Sequence, residues 1–411
     1  MKILFVTHYF PPEVNAPANR THEHCRRWVQ DGHDVTVITG VPNHPRGEVF
    51  KGFKNRWIQF EEIDGIQVIR TWMFLAPNAG FAKRVANYLL FALTSVFASF
   101  RVRSPDIVVA TSPQFFVGVA GAIIAKLKRR PFVLEIRDLW PKSIVELGQL
   151  KPGLILSALE RLENWLYQSA EGVVVNTRTF QSHITARGVP SDRIELVYNG
   201  IDPSLFSPRA KNRDLLSHHE LDGLVTIAYV GTLGLAHGLM LLIDVAERMK
   251  ERTELCFVLI GDGADRAKLE AEIAHRQLEN VKLLGLQPRH SMPDWIASID
   301  VLLVLLRDLP VFETVIPSKI FEFLAQERPV ILAAKGEIRR LITEADGALV
   351  IDPEVTEQLV GAIEEILAQP EAAAKRAAAG RRWVEQDFIR DDLARKMARF
   401  LERILASSKK T

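Results

Sequence analysis

One pattern, used twice, constrains this chain most. It is a short run of apolar, largely β-branched residues, then a loop, a helical stretch and another apolar run. KILFVT (Lys2–Thr7) leads into a loop punctuated by Pro11, Pro12 and Pro17. A helix to about Gln30 stops at Asp31-Gly32, and a second run covers Asp34–Thr39. Runs this short and uniformly apolar suit strands buried on both faces, as in a parallel sheet covered by helices. Further strands are expected over Ile66–Arg70, Asp106–Ala110, Phe132–Ile136, Gly172–Val175 and Ile194–Val197. Turn chemistry at Tyr198-Asn199-Gly200 and a polar run to about Gly223 interrupt the series. It restarts with Val225–Val230, Leu255–Ile260, Val281–Leu284, Asp300–Leu305, Val330–Leu332 and Ala348–Ile351. At 411 residues the chain exceeds one ordinary core. The expected architecture is therefore α/β, two Rossmann-like doubly wound parallel-sheet domains facing across a cleft. The domains are placed at residues 1–200 and 201–382. From Trp383 onward Leu393, Met397, Phe400, Leu401, Ile404 and Leu405 share one helical face. Residues 383–411 are expected to pack that face on the first domain.

A net charge of +2 leaves no chain-wide attraction for polyanions, and no basic stripe interleaved with aromatics appears, so a nucleic-acid partner is not expected. Cys25 and Cys256 lie far apart without zinc-ligand spacing, which fits a reducing compartment and no structural metal. The N-terminal apolar run ends at His8 and reads as a buried strand rather than a signal peptide. Phe81–Val102 is the most hydrophobic stretch, flanked by Lys83, Arg84, Arg101 and Arg103, yet it is too short to span a membrane comfortably. It reads as a buried crossover helix, or as a surface lying in a membrane interface. Trp72, Phe74 and the basic Lys126, Lys128, Arg129 and Arg130 would then assist. We favour the second.

In doubly wound sheets ligands lie beyond the carboxyl ends of the strands. In the first half this selects the loop with Glu13, Asn15, Asn19 and Arg20, the loop with Asn43, His44 and Arg46, and the loop RDLWPKSIVELG. The last holds Arg137, Asp138, Trp140, Lys142 and Glu146. The bland alternative for each residue is solvation or capping. In the second half, the stretch Glu313–Leu332 places Pro317, Ser318 and Lys319 at a helix start, with Glu322 one turn on. Such a start favours an anion, and Glu322 could accept hydrogen bonds from ribose hydroxyls, which together suit a nucleotide diphosphate. A capped helix with solvated Lys and Glu is the competing reading. Gly231-Thr232-Leu233-Gly234 lets backbone approach a phosphate, though it also reads as a plain strand-to-helix turn. Gly261-Asp262-Gly263 completes no dinucleotide fingerprint. The Gly285-Leu286-Gln287-Pro288 loop could hold a base.

The order of these motifs resembles the retaining glycosyltransferases of family 4, with the two-domain GT-B fold. The carriers are HYFPPE with APANR, DGHDVTVITGVPNHPRGEVFKGF, RDLWPKSIVELG, NGID, YVGTLGLAHGL, LIGDGADRAKLE and PSKIFEFLAQERPVI. The resemblance covers nearly the whole chain and is closest to the bacterial O-antigen and capsule branch, which includes a fucosamine transferase. It implies a donor site at Gly231, Thr232, Gly234, Gly263, Leu286, Ser318, Lys319 and Glu322. It also implies acceptor contacts at Glu13, Asn15, Asn19, Arg20, His44, Arg137 and Trp140. Glu322 matches the second Glu of the family's Glu-x7-Glu motif. The first falls on Thr314, so the neighbouring Glu313 is the expected contact to the donor sugar. The family's phosphate-loop Arg and Lys fall near Thr232 and His237, and neither cation is present. Weight shifts to Lys319, Ser318 and the helix dipole. Catalytic roles are expected for Asp138, Lys319 and Glu313, with no metal or other cofactor.

The implied reaction moves a sugar, with retention, from a nucleotide-diphosphate donor to a polyprenyl-diphosphate-linked saccharide in O-antigen, capsule or exopolysaccharide biosynthesis. A UDP-linked N-acetylated aminosugar such as FucNAc is favoured over a GDP-linked one. The enzyme would sit on the cytoplasmic face of the bacterial plasma membrane, against its lipids. The rival readings are a nucleotide-sugar 2-epimerase of the same fold and a non-catalytic partner subunit.

Overall fold

The computed structural model describes residues 1–44, 47–75, 81–112, 114–146 and 148–408. Arg46, in the second loop, lies outside them. The chain divides into two compact units. One comprises Met1–Tyr198 with Arg390–Thr411, the other Asn199–Ile389.

The first unit holds an eight-stranded sheet in the order β3-β4-β2-β1-β5-β6-β7-β8. Its strands are β1 Lys2–Val6, β2 Asp34–Gly40, β3 Ile58–Ile63, β4 Ile66–Thr71, β5 Ile107–Thr111, β6 Phe132–Ile136, β7 Gly172–Val175 and β8 Ile194–Leu196. β1, β5, β6 and β7 are buried at nearly every position, as their continuous apolar runs require. β1 pairs in parallel with β2 on one side and β5 on the other, so the order reverses at β1. The loops after β1 and β5 therefore open at the switch point.

β3 is an addition to the expected strands. It runs antiparallel to β4, with Ile63 opposite Ile66 across Asp64-Gly65, so the sheet is not purely parallel. Asp64 and Gly65 have φ of 51° and 79°, the left-handed pair that a two-residue hairpin needs. The Asp-Gly dipeptide between IQFEEI and IQVIRT carried that signal in the sequence.

The second unit holds a six-stranded sheet in the order β11-β10-β9-β12-β13-β14. The strands are β9 Val225–Val230, β10 Leu255–Ile260, β11 Val281–Gly285, β12 Val301–Leu305, β13 Val330–Ala333 and β14 Leu349–Ile351. The pairings between these strands are parallel, and β9 lies between β10 and β12. The loops after β9 and β12 thus flank this sheet's switch point.

The C-terminal expectation needs one correction. Trp383 lies in the helix Pro370–Asp387, where it packs on Phe321 and Phe388 of the second unit. The helix that joins the first unit begins at Arg390 and runs to Ser408. It packs on the helix Ala16–Gln30 and on β7. Trp28 Nε1 donates to the Ala394 carbonyl at 2.8 Å, and Arg27 pairs with Asp391 at 2.9 Å. A Cβ on Gly172 would lie 2.7 Å from Phe400 Cζ, so glycine lets this helix seat directly on β7. Phe400 is fully buried there.

Truncating Phe400 to Ala is expected to cost about 3 kcal/mol, through lost burial and the cavity left behind. Hydrogen exchange should show Arg390–Ser408 losing protection while the sheet β9–β14 keeps it. Unchanged exchange in that helix would mean that it is not docked through this ring.

Candidate functional site

In the second unit the loop after β9 is shaped by close backbone packing. Gly231 N–H donates to the Ile260 carbonyl at 2.8 Å, and Leu233 N–H to that of Asp262 at 3.0 Å. A Cβ on Gly261 would sit 1.9 Å from Gly231 O, and one on Gly263 2.3 Å from Leu233 O. Gly261 also has φ of 143°, outside the range of L side chains. The turn after β10 is therefore the bed on which the Gly231–Gly234 loop rests. Leu233 anchors the loop in the core and Thr232 is exposed. Gly234 meets only Thr232 Cγ2, at 3.6 Å, so no neighbour demands glycine there.

Lys319 reaches onto this bed. Its Nζ would be 2.6 Å from a Cβ on Gly231 and lies 3.8 Å from the centroid of the Tyr229 ring. Tyr229 is itself fixed, donating its hydroxyl to the Thr232 carbonyl at 2.8 Å. The Lys319 residue is half-buried, but its ammonium is sealed from solvent and has no hydrogen-bond acceptor among the described residues. A buried, unpaired charge is costly, and the cation–π contact offsets only part of that cost. Burial drives the Lys319 pKa down to about 7, against a smaller upward pull from Glu322. His237 lies beside it. Its Nδ1 is 3.0 Å from the Leu305 carbonyl and so carries the proton, while burial and then Lys319 push its pKa down to about 3. Near the position where the resemblance leads one to expect a second cation, this chain holds a neutral imidazole.

The helix carrying Lys319 is short, Lys319–Ala325, and Ser318 precedes it without forming a side-chain cap. Little dipole accumulates over seven residues, so the anion-attracting element is the ammonium more than the helix end. Glu322 is largely buried and pairs with Arg289 at 2.9 Å. The Arg289 guanidinium lies over the Phe206 ring at 5.1 Å. Lys319, Glu322 and Arg289 thus form a row running toward the loop after β11. There Leu286 is exposed. Glu313 is exposed on the 3-10 turn Pro310–Thr314, and its backbone is fixed by Gly336, where a Cβ would lie 2.0 Å from Glu313 O. Thr314 is buried and donates to the Val311 carbonyl at 2.7 Å. Tyr229 and Arg289 were not singled out from the sequence. A lone aromatic next to last in the strand VTIAYV, and an arginine just past the Gly285–Pro288 loop, were the available signals.

In the first unit several expected acceptor contacts are occupied within the fold. Glu13 is buried. Its Oε1 accepts from the backbone N–H of Asn43 at 3.0 Å and of His44 at 2.9 Å. Burial raises its pKa to about 7, against these backbone donors. Glu13 therefore braces two site-facing loops against each other. Asn15 caps the helix Ala16–Gln30, accepting from Ala18 N–H at 2.9 Å. Asn19 is half-buried on that helix. Arg20 is buried in an ion pair with Glu135 at 2.8 Å and donates to the Val197 and Tyr198 carbonyls. Arg137 lies beside both. Burial and then Arg20 lower its pKa to about 9. His44 meets the Tyr9 ring edge-on at 5.0 Å. Asp138 accepts from the Ser143 hydroxyl at 3.1 Å, and burial raises its pKa. It lines a void of about 20 Å³ with Trp140 and Tyr167. Trp140 stacks on Phe115 at 4.6 Å.

The unpaired ammonium makes a stability prediction. The cost of charging Lys319 in the fold is fully present below about pH 7 and is relieved as pH rises toward 10.5. Lys319→Met is expected to stabilise the ligand-free protein at pH 7 by on the order of 2 kcal/mol. It should also flatten the rise in stability between pH 7 and pH 10 seen by denaturant titration. A destabilised Met variant would contradict an unpaired charge.

Comparisons with known proteins agree with this geometry. Residues 15–200 match the glycosyl transferase 4-like domain, and residues 216–383 match glycosyl transferases group 1. The chain is 25% identical over 406 residues to WcaI of Escherichia coli (strain K12), named as a candidate colanic acid biosynthesis glycosyl transferase, covering 96% of this chain and 98% of that one. It is 28% identical over 440 residues to the amylovoran biosynthesis glycosyltransferase AmsK of Erwinia amylovora, covering 98% and 100%. A crystal structure of Anabaena HepE in complex with UDP-glucose superposes with a TM-score of 0.72 at 18% identity, covering 98% of this chain and all of that one. Matched by these two families in turn over its two halves, and folded as two α/β parallel-sheet units, the chain belongs to the family 4 glycosyltransferases of GT-B fold.

Proposed function

We propose that this enzyme transfers a sugar, with retention of anomeric configuration, from a nucleotide-diphosphate donor to a lipid-linked saccharide during surface-polysaccharide biosynthesis. The observation that carries the donor assignment is the buried, unpaired Lys319 ammonium on the Gly231–Gly234 loop, one helical turn from Glu322. A diphosphate supplies the missing acceptor. As the sugar departs, negative charge grows on that phosphate, and a preorganised ammonium stabilises it without reorganisation. This reading assigns charge neutralisation to Lys319 rather than to a metal ion. Glu322 takes a ribose hydroxyl, Leu286 offers an apolar contact to the base, and Glu313 reaches the donor sugar. Asp138, His44 and Trp140 remain the acceptor-side candidates of the first unit.

The donor favoured is a UDP-linked N-acetylated aminosugar such as FucNAc. The UDP-glucose held by the HepE relative supports the base, and the motif pattern of the O-antigen and capsule branch supports the sugar. The colanic acid and amylovoran names of the two relatives support the polysaccharide context.

A lipid-linked acceptor also accounts for an exposed face of the first unit. Among the described residues no helix is long and apolar enough to cross a membrane. The helix Phe81–Ser99 instead buries Phe91, Ser95 and Ala98 and exposes Leu89, Leu93 and Phe97 at four-residue spacing. The side chain of Phe81 lies outside the described residues. Exposed Phe100, Trp57, Ile123 and Leu127 extend the apolar surface. Trp57 lies 6.2 Å from Phe97, and Lys128 lies over Phe100 at 5.8 Å. Exposed Arg101, Arg103, Lys126, Arg129 and Arg130 accompany it. Apolar side chains beside cations suit an anionic lipid surface.

Lys319→Ala is expected to lower transfer by roughly 100-fold with a melting temperature near or above wild type, and Glu322→Ala by roughly tenfold with a somewhat lower one, since Arg289 loses its partner. Near-wild-type turnover in both would sink the site assignment. A thermal-shift screen of UDP and GDP and their sugars selects the base. Sedimentation with anionic liposomes at low salt should be lost in Leu93→Glu/Phe97→Glu. A wild-type protein that stays in the supernatant would refute docking.

A further inference from the structure

The ribose side of the site contains a residue that no motif assigns. Arg289 stands directly after the loop expected to hold the base, and it donates from Nη2 to Glu322 Oε1 at 2.9 Å. Its guanidinium is held from behind by Phe206, which is 2% exposed, at 5.1 Å. A guanidinium fixed by a buried ring and a carboxylate is an oriented fork, not a mobile surface charge. Glu322 is therefore not a free carboxylate. One oxygen is taken, and Oε2 carries no hydrogen bond among the described residues. Glu322 also lies three residues from Lys319 on the same short helix, so its negative charge falls close to where the donor's phosphates bind.

We propose that Arg289 is a positioning residue for donor binding. It holds Glu322 so that a single oxygen meets a single ribose hydroxyl, and it neutralises Glu322 beside the diphosphate. This rests on the nucleotide-sugar reading of the same site. A freely rotating carboxylate meets either hydroxyl of a ribose diol equally well, whereas one held in a single orientation presents its open oxygen in better line with one of them than with the other. Arg289 thus sets which hydroxyl the enzyme reads.

The test uses the full-length protein and calorimetric Kd values for UDP or GDP, whichever the base screen selects, and for its 2′-deoxy and 3′-deoxy forms. In wild type the two deoxy forms should differ in Kd by roughly tenfold, the worth of one charge-assisted hydrogen bond. In Arg289→Ala the parent nucleotide should bind roughly tenfold more weakly and the two deoxy forms should become equal within about twofold. Arg289→Lys keeps the charge and not the fork. It should recover most of the parent affinity while the deoxy forms stay nearly equal, which also controls for misfolding. Equal deoxy affinities in wild type, or a wild-type difference kept in both variants, overturns the role of Arg289 while leaving nucleotide binding intact. Failure of wild type to bind either nucleoside diphosphate overturns the donor assignment and this role with it.

Discussion

An ammonium buried without an acceptor is the constraint on which the second unit's site depends. Lys319 could have been left in water at little cost. The chain instead brings it over Gly231, against Tyr229, where nothing in the fold completes its hydrogen bonds. Each neighbour serves that placement. Gly231 has no side chain to block it. Gly261 and Gly263 allow the loop to lie low on the turn after β10, and Tyr229 is held by its own hydroxyl to face the cation. On the proposed donor reading, an anion would supply the hydrogen bonds that the fold leaves unmade, so binding energy would be held in the site rather than in the fold.

On the same reading, one buried cation would do what several exposed ones do elsewhere. Exposed lysines and arginines are partly screened by water, so several are needed to neutralise a diphosphate. A single ammonium in a low-dielectric pocket interacts with it far more strongly. The imidazole of His237, kept neutral by burial and by Lys319, adds polarity without adding charge. The electrostatics of this site are concentrated in one residue, and substitution there should be correspondingly severe.

Much of the fold was legible because strands buried on both faces leave a plain trace. Uninterrupted runs such as IVVAT and LCFVLI cannot be accommodated on a surface, and their order with intervening helices dictates two doubly wound sheets. β3 escaped because IQFEEI is an edge strand with no fully buried residue, and its cue lay in the Asp-Gly turn rather than in its own composition. Motif order singled out the Gly231–Gly234 loop and the Ser318–Glu322 stretch, and the fold brings Gly231 and Lys319 together. The first unit's polar residues were harder to read. Position at a strand end says that a loop faces the switch point. It does not say which way a side chain turns. Glu13 and Arg20 turn inward because backbone amides and a buried Glu135 lie there, and those partners come from the loop after β2 and from β6, distant in sequence.

The same argument bears on Glu322 and Arg289. From the sequence, Glu322 is an acid one turn along a helix, available to any ribose. In the folded unit it is half of an ion pair whose other half comes from thirty-three residues upstream. Breaking a buried or half-buried pair to bind substrate costs most of what the new contact contributes. A carboxylate already paired can still bind efficiently when the substrate uses its remaining oxygen and leaves the pair intact. On the proposed donor reading, retaining the Arg289 contact is the lower-energy way for Glu322 to hold a ribose, and it would fix the nucleoside relative to Lys319 and so the position of the bond to be broken.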